Sequence, residues 1–239
     1  MTTNQSPLPT QLQTVRARLA AACHACGRAA GEVTLLAVSK TVSPEVVEQA
    51  FEAGQSAFGE NYIQEGVEKI IQLRHLPIEW HCIGPIQSNK TRLVAEHFDW
   101  VQTLDRLKIA QRLSEQRPFG LPPLQVCIQV NVDGGNTKSG VSPDEALALA
   151  QGVAALPNLR LRGLMSIPEP ASDFVAACAL FARVKAVFDE LNAQGLALDT
   201  LSMGMSADLE AAIHSGSTMV RVGTAIFGER PAIKSGLAH

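Results

Sequence analysis

The sequence predicts one α/β domain, a closed barrel of eight parallel strands alternating with helices, (β/α)8, with an extra helix at the N-terminus. Three observations predict it. Short continuous apolar runs alternate with stretches of helical periodicity; there are eight such runs; and no Pro/Gly/Ser-rich linker divides the 239 residues. Apolar strands flanked by helices imply a parallel sheet covered on both faces. Eight units in this length suit a barrel better than an open sheet. A single domain is expected over 1–239, with 1–10 flexible, 11–30 helical and 231–239 a short tail.

Each element has its own signal. "QLQTVRARLAAACHACGRAAG" is apolar every three or four residues and reaches a glycine cap at Gly31. "LLAVSK" is the first strand, and "SPEVVEQAFEAG" opens on Ser43 and Pro44 as a helix should and closes on Gly54. The further strands are "SAFGE", "IEWHCIG", "DWVQTLD", "PLQVCIQVN", "RLRGLMSI", "LDTLSMGM" and "TMVRVGTAIFG". Helical stretches separate them, among them "NYIQEGVEKIIQLRHL", "SPDEALALAQGVAAL" and "SADLEAAIHSG".

Composition narrows the function. Hydrophobic residues make up 46% and charged residues 18%, enough for a large core. A net charge of −3 with interspersed signs lacks the basic stripe that holds nucleic acid. No apolar stretch is long enough to span a bilayer, and no basic-then-apolar leader opens the chain, so a soluble, cytoplasmic protein is expected. Five scattered cysteines argue for reduced thiols, and the Cys23–Cys26 pair has no second pair at zinc-site spacing. No metal is expected.

Barrel sites form at the C-terminal ends of the strands. Those ends carry Lys40, Glu60 with Asn61, His81 with Gly84, Thr103 with Asp105, Asn131, Ser166, Met203 to Ser206, and Arg221 to Thr224. Taken alone, a strand-end lysine is more often solvated than a nucleophile, but at a barrel mouth its amine can meet a carbonyl ligand. Ser206 just ahead of a helix, and Gly223 with Thr224 after the eighth strand, stand where barrels bind phosphate, although each alone also reads as an ordinary turn or cap. "GGNTKSG" has Thr137 where a phosphate loop needs glycine, and "GMSAD" lacks the second glycine of a nucleophile elbow. His81 on a buried strand is more often a core residue than a base.

Together "AVSK", "FGENYIQEG", "WHCIGPIQSNK", "RLRGLMSIP", "LSMGMSADLEAAI" and "GSTMVRVGTAIFG", from Leu35 to Gly228, closely resemble the pyridoxal phosphate homeostasis protein family. The resemblance implies a fold-type III pyridoxal 5′-phosphate (PLP) protein, a barrel like the N-terminal domain of alanine racemase. Lys40 then matches the lysine that forms the internal aldimine. Ser206, Gly223 and Thr224 match phosphate-holding positions, and Arg221 matches the arginine facing the pyridine nitrogen. Asn61, His81, Ser166, Met203 and Gly204 fall in pocket-lining motifs. Two departures stand out: Cys82 replaces a bulky apolar residue, and Gly135 replaces a frequent acid, which puts a role for Lys138 in doubt.

The implied function is a non-catalytic, monomeric PLP binder in vitamin B6 homeostasis that meets PLP-dependent apo-enzymes transiently. A fold-type III racemase or decarboxylase is the alternative, but it needs an opposing acid/base, usually tyrosine, and this chain has only Tyr62 and a short tail after the last strand. A Schiff-base aldolase on a phosphorylated sugar is a third reading.

Overall fold

Leu12, Val15, Leu19 and Ala22 recur at helical spacing and are all buried, so the first helix, α1 (Leu8–Ala25), packs one face onto the rest of the molecule. The computed structural model describes residues 7–134 and 139–228. α1 is offset from the expected 11–30. It begins at Leu8, so residues 8–10 are helical rather than flexible, and it ends at Ala25 because Gly27, not Gly31, takes the left-handed conformation (φ 72°). Residues 30–32 form a separate 3-10 turn.

The strands are β1 (Thr34–Val38), β2 (Ala57–Glu60), β3 (Glu79–Cys82), β4 (Trp100–Leu104), β5 (Leu124–Gln129), β6 (Leu159–Met165), β7 (Thr200–Ser202) and β8 (Met219–Val222). They pair in chain order, all parallel, and β1 also pairs with β8, so the sheet closes and leaves no edge. Between them run α2 (Pro44–Glu52), α3 (Ile63–Gln72), α4 (Thr91–His97), α5 (Leu107–Gln116), α6 (Pro143–Ala154), α7 (Phe174–Ala193) and α8 (Leu209–His214). A single-turn helix, α9 (Thr224–Phe227), follows β8.

Alternate residues of each strand face opposite sides of the sheet. One set, with Phe58, Val101, Val126 and Leu201, joins the helices in one continuous apolar core. Leu36, Ala57, Ile83 and Met219 form a separate cluster, as do Trp100, Cys127 and Met165. Gly163 permits the closest strand contact: a Cβ there would lie 1.6 Å from the Thr200 carbonyl oxygen. No helix among the described residues is long and apolar enough to cross a membrane. Cys23 and Cys26 are free thiols, and Cys26 Sγ donates to the Ala22 and Cys23 carbonyls.

Candidate functional site

Lys40 stands just past β1, half-buried, and the chain around it is pinned from below. Lys69 is the cause. It lies on the buried face of α3 and donates to Ser39 O (2.7 Å), Glu60 Oε1 (2.9 Å) and Glu65 Oε1 (2.6 Å). Ser39 Oγ also donates to Glu60 Oε1 (2.6 Å), and Thr41 N donates to Glu65 Oε1 (2.6 Å). That last bond holds Thr41 at φ 60°, a left-handed conformation costly for a β-branched residue, immediately after the lysine. Burial raises the Glu60 pKa, and the Lys69 ammonium opposes that shift. Sequence reading named Glu60 only as a strand end and missed Ser39, Glu65 and Lys69. The signal was a lysine three residues after Gly66, one helical turn along the face that Gly66 buries.

Across the mouth, the turn after β7 is held from α1. Arg18 Nη1 donates to Ser206 O (2.7 Å), while its Nε and Nη2 bind both oxygens of Glu210. Ser206 was expected directly ahead of a helix. The structure starts α8 at Leu209 instead, and Asp208 accepts from Met205 N (2.6 Å), which leaves a turn between serine and helix. Gly204 must be glycine twice over: φ is 97°, and a Cβ would lie 2.3 Å from Ala212 Cβ. Beside this turn Gly223 caps α9, whose first amides have no intrahelical acceptor. The loops after strands seven and eight, with the start of a short extra helix, are where barrels commonly seat phosphate.

Between these two structures lies a cavity of about 360 Å³. Lys40, Asn61, Ser206, Arg221, Gly223 and Thr224 line it, together with Val38, Ile83, Ile167, Met205 and Ala207. Val38, Ile83, Ile167 and Ala207 were not singled out from sequence, being apolar or small residues among many. Arg221 is buried, and Nη1 donates to Ser202 O and Ser202 Oγ (both 2.8 Å) while Nη2 donates to Ser166 O (2.9 Å). Burial lowers its pKa to about 10, so it stays charged near neutrality and keeps N–H donors for the cavity. Asn61 Oδ1 is buried without a hydrogen-bond partner. An orphaned acceptor on the wall of a polar cavity suits a ligand that brings a donor.

The other four expected residues do not line this cavity. Ser166 bonds the Val130 carbonyl (2.8 Å) and faces a neighbouring cavity of about 210 Å³. Met203 is packed in the core. Gly204 supports Arg221, whose backbone N–H it accepts (3.0 Å). His81 is wholly buried, with its ring held by Glu79 and Gln102. Cys82 is equally buried, and its thiol is pushed up to about 12, which makes it inert. Gly135 and Lys138 lie outside the described residues. A wider cavity of about 480 Å³ opens at the opposite, N-terminal end of the barrel, but it offers no primary amine and lies away from the strand ends that carry barrel chemistry.

A closed parallel barrel with a lysine and the turns after β7 and β8 across one mouth defines the class: the family model described as "Alanine racemase, N-terminal domain" matches residues 11–231. Within that class, a pyridoxal phosphate homeostasis protein from Pseudomonas aeruginosa is 58% identical over 225 residues, covering 94% of this chain and 96% of that protein. One from Escherichia coli K12 is 54% identical, covering 92% and 95%. The structure of PipY from Synechococcus elongatus with PLP bound superposes with a TM-score of 0.80 at 34% identity, covering 92% and 100%. An alanine racemase from Clostridium difficile shares the fold alone, with a TM-score of 0.75 at 15% identity over 95% of this chain and 57% of that one. The chain belongs to the pyridoxal phosphate homeostasis protein family.

Proposed function

We propose that this chain binds PLP in the 360 Å³ cavity and serves vitamin B6 homeostasis as a holder of the cofactor rather than as an enzyme. One observation carries the reading: the cavity gathers an amine, a buried guanidinium and, across from the amine, a phosphate-type turn, and a relative at 34% identity has PLP bound. When bound, PLP supplies an aldehyde carbon reactive toward primary amines. Lys40 offers the amine that would hold that carbon. Ser206 and the Gly223–Thr224 turn would take the phosphate through hydroxyls and free amides. Arg221 would donate to the ring nitrogen, and Asn61 Oδ1 would accept a donor from the ring's other edge.

Two features favour holding over turnover. A guanidinium at the ring nitrogen keeps that nitrogen unprotonated and weakens the ring as an electron sink. Tyr62, the only tyrosine, is 48% exposed and does not line the cavity. The monomeric state, the cytoplasmic location and transient delivery to apo-enzymes complete the proposal.

Absorption of the purified protein tests it. A visible band that borohydride bleaches, with the reduced adduct on Lys40, is the expected result; a colourless protein that takes up no PLP overturns it. Lys40→Ala should lose the band while retaining phosphate-held cofactor. Sustained turnover of any common amino acid, abolished in Lys40→Ala, would overturn the holding role alone.

A further inference from the structure

The barrel interior carries a column of polar side chains where aliphatic packing is the rule. Arg221 Nη1 donates to Ser202 Oγ at 2.8 Å. Ser202 Oγ lies 2.6 Å from Gln102 Oε1, Gln102 Nε2 lies 3.0 Å from His81 Nδ1, and His81 Nε2 lies 2.9 Å from Glu79 Oε1. Ser202, Gln102 and His81 are wholly buried, whereas the Glu79 side chain is 49% exposed at the opposite end of the barrel. Trp100 stacks on the imidazole at 5.0 Å and 12°, which fixes its plane.

The chemistry of the two ends sets the direction of every bond between them. Glu79 is ionised, with its pKa lowered chiefly by the His81 hydrogen bond, and can only accept, so His81 carries its proton on Nε2. Burial keeps the imidazole neutral, so Nδ1 can only accept, and Gln102 must present its amide N–H there. Gln102 Oε1 then faces Ser202, whose hydroxyl donates to it. The lone pair left on Ser202 meets Arg221, which can only donate. All the donors point from a buried cation toward a remote carboxylate, so each bond polarises the next in the same sense. Among the described residues no carboxylate lies within ion-pair distance of Arg221; the Asp208 charge acts on it through space, and the column joins it to Glu79 by hydrogen bonds.

We infer that Ser202, Gln102, His81 and Glu79 are positioning residues for the cofactor ring: they hold Arg221 oriented so that its remaining N–H donors face the cavity, the column ending on Glu79 at the far end of the barrel. The inference rests on the PLP reading above. The residue that the family motif suggested as pocket-lining, His81, then acts on the ring through Gln102, Ser202 and Arg221.

The test uses the PLP-loaded full chain with PLP labelled with ¹⁵N in the ring. Gln102→Leu cuts the column in its middle; Glu79→Gln, at a half-exposed site, keeps an acceptor but removes the charge. Both variants should retain cofactor attached to Lys40 after borohydride. Both should show a displaced visible band and a displaced ring-nitrogen resonance, larger for Gln102→Leu, with its affinity lowered roughly tenfold as Ser202 loses the acceptor that orients it toward Arg221. Band and resonance unchanged from wild type in Glu79→Gln, and in Gln102→Leu where it folds, would overturn the inference while leaving PLP binding intact. Absence of Lys40-linked cofactor in the wild type would instead remove the PLP reading and this inference with it.

Discussion

Lys69 organises the site without touching the cavity. It is 3% exposed and bonds Glu60, which is wholly buried, so neither charge is solvated and each depends on the other. Replacing one member of such a pair leaves a stranded charge, at a cost of about 3–5 kcal/mol. Lys69→Met should therefore lower stability by that amount in urea unfolding, while Lys69→Met with Glu60→Leu should recover most of it. A single variant as stable as wild type would show that Glu60 is neutral and the pair unimportant. In the single variant the Ser39 carbonyl also loses its ammonium donor, so attachment of cofactor to Lys40 should slow even under conditions where the protein stays folded.

At the scale of elements, α1 matters because it lies outside the barrel yet reaches into it. Arg18 joins Ser206 O to Glu210, bracing the turn between β7 and α8. The pair is over a third exposed, so solvent screening limits its worth to stability to about 1 kcal/mol or less. Its effect on the turn is more direct. Arg18→Met should weaken PLP binding several-fold while leaving the visible absorption maximum in place, since Lys40 and Arg221 are untouched. A shifted maximum, or unchanged affinity by equilibrium dialysis, would separate α1 from cofactor binding at this turn.

Over the whole molecule the buried histidine sets a pH dependence. His81 is held below its ordinary value of 6.5 by burial, with Glu79 on its own strand and Asp99 opposing the shift. In the unfolded chain the imidazole gains a proton as pH falls past 6.5, whereas in the fold it does not, so folding stability falls with acidification. Glu60, whose pKa is raised above 4.5, works in the opposite sense above that value. The urea midpoint should therefore drop between pH 6.5 and about 5, and His81→Gln should flatten that limb. An equally steep limb in the variant would place the dependence on other groups.

The fold was legible because it follows from local rules: eight apolar runs, helical periodicity between them and capping residues such as Ser43 with Pro44 do not need distant partners to be recognised. Even so, α1 ended earlier than its periodicity indicated, since Gly27 takes the left-handed conformation and Arg28 N–H closes onto the Cys23 carbonyl. Lys40, Ser206 and Thr224 could be picked out because a barrel's chemistry sits at strand ends, which are positions along the chain. The support beneath them could not. Lys69 beneath Lys40, Arg18 beneath Ser206 and the column from Glu79 to Arg221 join residues up to 188 positions apart, and no periodicity encodes such pairings. Sequence alone determined that Lys40, Asn61, Ser206, Arg221, Gly223 and Thr224 stand at the mouth, and not which apolar residues join them. Only closure of the barrel, by bringing β3, β4, β7 and β8 around one axis, decided which buried side chains complete one another's hydrogen bonds, because in a packed interior each donor must find its acceptor in space.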